Sequence, residues 1–229
     1  MKMNNGSDLN RDYLKAMLTW LDVMLERQVL LWQLSGQNPA DRFRGLYIND
    51  SEAGDVIRRE PGTHWGSNLS LSPEEEKRLS EKLTAAQQEV NRLEKLADEQ
   101  ELTPRLKILA DIFELDDFET WALLICLAPS LDLRYERIYG YLQDDVTCVQ
   151  ASIDLILTLL LPENMERFDF LNRFNADASL CKFSLLLPIT DNVHKQATGI
   201  LRKAFLVDTM VLSWLLGSDS PILPIDGSA

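Results

Sequence analysis

The sequence has few of the residues that most enzyme active sites and metal centres require. It contains two histidines, His64 and His194, and three cysteines, Cys126, Cys148 and Cys181. No cysteines form a CxxC pair, so neither a zinc knuckle nor a disulfide framework is indicated. The motifs GxxxxGK[ST], GxGxxG, GxSxG and HExxH are absent. We therefore predict no catalytic residue, no cofactor-binding residue and no metal ligand, and expect that the chain is not an enzyme.

Long apolar runs and an excess of positive charge are also missing. No apolar run approaches the ~20 residues that a membrane span needs, and the first residues, MKMNNGSDLNRDY, lack the apolar core of a signal peptide. The formal net charge is −13, which repels nucleic-acid phosphates and anionic lipids unless a local basic patch overrides it. We expect a cytoplasmic protein without membrane contact, for which nucleic acid is an unfavoured partner.

A helical core dominates residues 105–160. Its middle, WALLICLA at 121–128, is apolar on every side of a helical wheel, so this hub helix must be surrounded by protein. Apolar residues recur at helical spacing before and after the hub, which predicts four successive helices with the hub as the second.

The boundaries of these helices follow from capping signals. Asp116 and Glu119 form a capping pair before the hub, and Pro129 is predicted to end it. The fourth helix is predicted to start at Asp145 or Thr147. Paired carboxylates at such helix starts are favoured by the helix dipole, so we predict a structural role for them.

Two long amphipathic patterns precede this core, at 9–34 and at 72–100. The second begins with a capping box in which Pro73 follows Ser72 and Glu75 stands three residues after the cap. Its apolar residues alternate spacings of four and three, as in a two-stranded coiled coil; this seam comprises Leu79, Leu83, Ala86, Val90, Leu93 and Ala97. The simplest partner is the 9–34 helix, giving an antiparallel hairpin. A homodimeric coiled coil is the alternative.

The pattern of the sequence changes from helical to strand-like after residue 174. Segments 183–188 and 198–207 have strand character, Asp208 is predicted to cap a last short helix that Gly217 stops, and the tail at 218–229 resembles a linker. Helices followed by a two-stranded hairpin match a winged helix, in which the third core helix reads DNA and the hairpin is the wing. We assign 147–160 as the reader candidate.

The charge of this region disfavours duplex binding. Residues 103–217 hold ten Lys/Arg against 16 Asp/Glu, and the reader candidate 147–160 has no Lys or Arg, whereas duplex binding needs several basic contacts to phosphates.

The patterns along the chain together predict a mainly α fold. It consists of an N-terminal helical hairpin with its connecting loop at 1–101, a winged-helix-like domain with a small β-hairpin at 102–217, and a tail at 218–229.

Three passages resemble a known family. They are DRFRGLYIND at 41–50, FETWALLICLAPSLD at 118–132 running into RYERIYGYLQDDVT at 134–147, and the ending at 207–217. Together they are similar to the N-terminal, winged-helix-containing region of a group of bacterial and archaeal AAA+ ATPases, whose members often accompany contractile injection systems.

This resemblance has two departures. The family usually has basic residues where this chain has CVQA at 148–151, which weakens any phosphate-binding role there. No phosphate-binding loop occurs in these 229 residues, so no ATP-binding residue is carried over, and ATP with magnesium is expected only in a downstream module. The chain is either a fragment of a longer ATPase or a stand-alone relative.

The resemblance implies a non-catalytic region that recruits a protein partner or substrate, or organises the ring of its own ATPase module. The candidate contact surfaces are the 72–100 helix, the 58–71 loop and the wing. A winged-helix DNA-binding regulator is the first alternative. A structural subunit that forms homo-oligomers through the 79–97 seam is the second.

Overall fold

The structure is a computed structural model that describes residues 5–35, 54, 57–58, 60–62, 66, 69–161, 166–189 and 199–218. Segment 41–50, both histidines, part of the 58–71 loop and the tail after residue 218 lie outside the described residues. In the described part the chain is mainly helical, with one two-stranded antiparallel sheet, which confirms the predicted fold class.

The described elements follow one another in chain order. The helices are α1 (Asn5–Leu34), α2 (Pro73–Glu99), α3 (Arg105–Ile112), α4 (Asp117–Leu131), α5 (Arg134–Leu142), α6 (Ile153–Leu160), α7 (Ser179–Lys182) and α8 (Thr209–Leu215). Two 3₁₀ helices, at Arg167–Phe174 and Ile200–Arg202, and two strands, β1 (Leu186–Pro188) and β2 (Phe205–Val207), complete the set.

Helices α1 and α2 form the predicted antiparallel hairpin. Glu26 late in α1 pairs with Arg78 and Lys82 early in α2, at 2.8 and 2.6 Å, whereas Tyr13 early in α1 donates to Glu94 late in α2. Five of the six seam residues are buried, with Leu83 partly buried. Because the seam is used within one chain, a homodimer through it would require the hairpin to open. Supercoiling of the pair stays a prediction.

Helix α4 is the enclosed hub that its composition predicts. Every residue from 122 to 128 is at most 1% exposed, with α1, α5, α6 and β2 packed around it. Its first turn has the predicted capping box, in which the Glu119 N–H donates to Asp116 at 2.8 Å and the Asp116 N–H donates to Glu119 at 3.1 Å.

Pro129 lies inside α4, and the prediction that it ends the helix is wrong. The helix continues to Leu131. A proline has no N–H for the carbonyl four residues earlier, here that of Ile125. The Tyr139 hydroxyl donates to this carbonyl at 2.8 Å from the neighbouring helix α5. A tertiary hydrogen bond therefore replaces the donor that the proline lacks.

The predicted start of the fourth core helix is also wrong. Helix α6 begins at Ile153, where Ser152 accepts a hydrogen bond from the Leu155 N–H at 3.3 Å. Asp145 instead holds the turn after α5 by accepting from the Thr147 N–H and hydroxyl, at 2.9 and 2.6 Å. These local hydrogen bonds compete with helix formation and delay the start of the helix.

The wing forms from β1 and β2, and Leu186 pairs with Val207. Ser152 bridges Ala204 on the other edge of β2, which ties the start of α6 to the sheet. The second strand-like segment is only partly extended, because a 3₁₀ turn at Ile200–Arg202 precedes β2.

The end of α8 is fastened to the beginnings of α1 and α3. Asn10 of α1 donates to the Leu215 carbonyl and accepts from the Arg105 N–H at 3.0 Å. The Arg105 guanidinium donates to the Trp214 carbonyl at 2.7 Å. The predicted cap of α8 is confirmed, since Asp208 accepts from the Met210 N–H, and Gly217 follows with φ of +91°.

One apolar cluster runs through both parts of the chain. It joins residues of α1 and α2 to those of α4, α5, α6 and the wing, from Leu9 to Leu215. The predicted division at residues 101 and 102 therefore crosses a continuous core, and that boundary stays a prediction.

Candidate functional site

The three cysteines are dispersed in the structure. Cys126 is buried, Cys148 exposed and Cys181 partly buried, and all three are free. Loss of solvation on burial raises the pKa of each thiol, so the nucleophilic thiolate is disfavoured at neutral pH. In the described ranges, no group of three or more His, Cys, Asp or Glu residues could hold a metal ion.

A small polar cavity beside α6 has no room for a substrate. It measures about 10 Å³, the space of one water molecule. It is lined by Gln28, Leu142, Gln143, Asp154, Leu155 and Thr158. Arg167 lies beside it but donates to Thr158 and forms an ion pair with Asp154 at 3.0 Å. This charge is therefore already neutralised.

The segment at 134–147, which is part of the family resemblance, holds α5 against α1. Arg134 and Tyr135 of α5 both reach Asp22 of α1, each at 2.8 Å. Arg134 also pairs with Asp132 at 3.1 Å. Burial, with the hydrogen bond to Asp22, raises the pKa of Tyr135. The phenol therefore stays protonated and acts as a donor.

Carboxylates lie at the starts of two described helices, as the helix dipole predicts. Asp116 caps α4 and pairs with Arg173 at 2.7 Å. Glu74, Glu75 and Glu76 lie in the first turn of α2, where the helix dipole favours negative charge. Asp145 stabilises a turn instead, and hydrogen bonds from Thr147 lower its pKa.

The reader candidate 147–160 is misplaced. Its helical part, α6, has six of eight residues buried, so it cannot lie in a DNA groove. The helix directly before the hairpin is α7, which has four residues and one basic side chain, Lys182. A helix of about one turn offers few side chains to base edges. The sequence interpretation chose this segment by its place among the core helices, although its apolar residues are those of a buried helix.

The wing presents an apolar outer surface. Its inner residues Leu186, Phe205 and Val207 are buried. On the outer side, Leu187 and Leu206 face each other across the two strands, 39% and 42% exposed, and Ile189 follows at 41%. We call Leu187, Ile189 and Leu206 the wing face. The sequence predicted the wing as a contact surface but not these residues, because the run of three leucines at 185–187 hides the alternation.

Three exposed cations lie close in sequence to the two wing strands: Lys182, Arg202 and Lys203, here called the wing cations. They contrast with a chain of net charge −13. The described segments 182–189 and 199–208 contain one carboxylate, Asp208. Asp145, in the turn after α5, interacts electrostatically with Arg202. These two segments therefore carry a positive balance of charge.

The outer edge of β1 is a poor template for another strand. The Ile189 N–H donates to Ala204, and the Asp208 N–H to Leu185, at 3.0 and 3.3 Å. By antiparallel alternation, the backbone groups of Leu186 and Pro188 point away from β2. Proline has no N–H, so this edge lacks a donor where strand addition would need one.

No described helix has the length and apolarity that crossing a membrane would require. No curated protein and no solved structure matches the chain. The family model described as "Winged helix domain, variant" matches residues 8–226. That match takes in α1 and α2 together with the sheet. The chain thus belongs to the variant winged helix domain family.

Proposed function

We propose that this chain is a non-catalytic, cytoplasmic protein-interaction module, the N-terminal region of a AAA+ ATPase that recruits a protein partner or substrate or organises the ring. The observation that carries the proposal is the apolar outer side of the wing, where Leu187 and Leu206 are exposed as a pair. Exposed apolar groups that lie together are typical of protein-binding surfaces.

The ATPase assignment is supported by the sequence resemblance at 41–50, 118–147 and 207–217. In this proposal ATP and magnesium bind a downstream module, which belongs to the group that accompanies contractile injection systems. This chain supplies binding specificity and that module supplies movement.

The ATPase assignment is tested on the native gene. Its reading frame is followed past Ala229, and the ATP turnover of the full gene product is compared with that of this chain alone. We expect a phosphate-binding loop downstream and turnover only in the longer protein. A stop codon after Ala229, or turnover by this chain, would overturn the assignment.

DNA binding is the second candidate, favoured by the winged-helix family match and by the three wing cations. Against it stand the buried α6, the short α7 and the net charge of −13. A titration of fluorescent duplex DNA with this chain at low salt decides between the two. We expect no binding at tens of micromolar; tight binding that weakens steeply with added salt would reverse the ranking.

A further inference from the structure

We propose that the small cavity between α1, α5 and α6 is an internal hydration site, which holds one structural water molecule hydrogen-bonded to Gln28. This water joins the N-terminal helical hairpin to the winged-helix part of the chain. Neither a protein partner nor an ATPase module enters the proposal, so its failure would leave the proposed function intact.

The Gln28 side chain has a buried carbonyl oxygen that needs a hydrogen-bond donor. Gln28 lies in α1 and is 5% exposed, and its Nε2 donates to the Thr158 carbonyl at 3.3 Å. This hydrogen bond fixes the orientation of the amide, since the opposite orientation would bring two carbonyl oxygens together. Within the described part of the chain, no donor reaches Gln28 Oε1. A buried amide oxygen without a donor costs free energy, so the donor must come from outside the protein.

The cavity that Gln28 lines has the size and the polarity that a water molecule requires. It measures about 10 Å³, which is close to the smallest volume that accommodates one water. Four of its six lining residues are polar: Gln28, Gln143, Asp154 and Thr158. Internal cavities that stay dry are apolar. The lining of this cavity therefore favours a hydrated state.

The lining side chains can supply the hydrogen bonds, typically about three, that hold an internal water. Gln28 Oε1 accepts the first from it. Gln143 Oε1 already accepts from the Ser152 N–H at 3.1 Å and has a second lone pair for another. The Thr158 hydroxyl accepts from Arg167 at 3.2 Å, and its own hydrogen can turn toward the cavity. The water thus donates to both glutamines and accepts from the threonine.

The charges beside the cavity favour a neutral occupant over an ion. Asp154 would attract a cation, but Arg167 pairs with it at 3.0 Å and also donates to Thr158. The guanidinium therefore repels a second positive charge at this site. An anion would meet the amide oxygens of Gln28 and Gln143 and the Asp154 carboxylate, all of which are acceptors. A water molecule can donate to such oxygens and still accept from Thr158.

The test combines a crystal structure of the full 229-residue chain, at a resolution that shows ordered water, with magnetic relaxation dispersion of water in solution. The dispersion amplitude counts the water molecules that stay inside a protein for longer than the protein takes to tumble. Gln28→Met keeps the length of the side chain and removes both amide groups. Gln88→Met is the matched control, because Gln88 is an exposed glutamine on α2. Further crystals are soaked in a rubidium salt, whose anomalous scattering reveals a bound monovalent cation.

We expect a water peak within hydrogen-bond distance of Gln28 Oε1 and of at least one of Gln143 and Thr158. The dispersion amplitude should fall by the equivalent of one water in Gln28→Met and stay unchanged in Gln88→Met. The crystal structure of the unchanged chain keeps the test decisive if Gln28→Met fails to fold.

Three outcomes would overturn the hydration site. The first is a cavity with no density peak beside Gln28 Oε1. The second is a dispersion amplitude that Gln28→Met leaves unchanged. The third is an anomalous rubidium peak in the cavity, which would assign it to a cation instead.

Discussion

The Tyr139 hydroxyl donates a 2.8 Å hydrogen bond to the Ile125 carbonyl, the group that Pro129 leaves without its helical donor. Tyr139 is fully buried, and burial raises its pKa well above the ordinary value. The phenol therefore keeps its proton at neutral pH and remains a hydrogen-bond donor. A proline in the most buried helix and a tyrosine on the next helix thus form one unit.

Replacing Tyr139 by phenylalanine tests this unit. The variant leaves a buried carbonyl without a donor, so we expect a loss of about 1–3 kcal/mol in the free energy of unfolding, measured by urea denaturation. Pro129→Ala restores the helical N–H to Ile125. In that background the loss caused by Tyr139→Phe should fall to less than half. An equal loss in both backgrounds would contradict the compensation.

The cap of the hub helix should matter more than the cap of α2. Asp116 accepts from the Glu119 N–H and also pairs with Arg173. Exposed Ser72 accepts from the Glu75 N–H and donates its hydroxyl to the Glu75 carboxylate, so its contacts stay within its own capping box. We expect Asp116→Ala to cost about 1–2 kcal/mol and Ser72→Ala about 0.5–1 kcal/mol. Thermal unfolding of the two variants side by side measures the difference, and equal losses would argue against the added role of Arg173.

Acid should weaken the hairpin through Glu26. The hydrogen bond from Lys82, helped by Arg78, lowers the pKa of Glu26 below its ordinary value of 4.5. A lowered folded-state pKa gives stability that is present above the unfolded value and is lost as pH falls through the folded value. At pH 7 we expect Glu26→Gln to cost up to about 1 kcal/mol. That difference from the unchanged chain should shrink below pH 4.5.

The measurement is urea unfolding from pH 7 down to acid, with Glu81→Gln on α2 as the matched glutamate substitution. In the part of the chain that the structure describes, Glu81 is highly exposed and its ion pair is with Lys77 of its own helix, at 4.0 Å. Its substitution should leave the acid limb of the stability curve unchanged. A difference between Glu26→Gln and the unchanged chain that persists equally at low pH would show that packing, rather than charge, is responsible.

Gly140 lies where α5 meets the turn that follows it. A Cβ there would approach the Asp145 carbonyl to 3.2 Å and the Val146 Cα to 3.3 Å. Alanine gains about 1 kcal/mol of helix propensity over glycine, which offsets a crowding cost of similar size. We expect Gly140→Ala to change stability by less than about 1 kcal/mol, and Gly140→Val to cost at least about 2 kcal/mol.

Gly199 supplies the control for this comparison, because a Cβ at that position would meet no atom of the described residues within 4 Å. Gly199→Val should therefore change the unfolding free energy by less than about 0.5 kcal/mol. If both valine variants lose the same stability, crowding against the 145–146 turn is not the cause at Gly140.

The sequence predicts those features of the fold that have local causes. The Ser72–Glu75 and Asp116–Glu119 capping boxes are each contained within four residues, and both are present. The alternating spacing of four and three between the apolar residues at 79–97 predicts that these residues are buried. The fully apolar segment at 121–128 similarly predicts an enclosed helix, because no polar face is available to contact solvent.

Features that depend on distant partners escaped prediction. Pro129 is a helix breaker by local rules, and only the position of Tyr139 in three dimensions makes it acceptable. The wing face was hidden for a related reason. Leu185, Leu186 and Leu187 are chemically identical, yet the first two are buried and the third is exposed. Only their positions in the folded chain distinguish them.

The hydrogen bonds from Asn10 and Arg105 to the end of α8 determine which helices would bear a pulling force applied to the C-terminal segment. A pull on the chain beyond Ser218 reaches the beginnings of α1 and α3 through the Leu215 and Trp214 carbonyls. Part of any tension from that direction would thus be carried by the helical body and not by the short link between β2 and α8 alone.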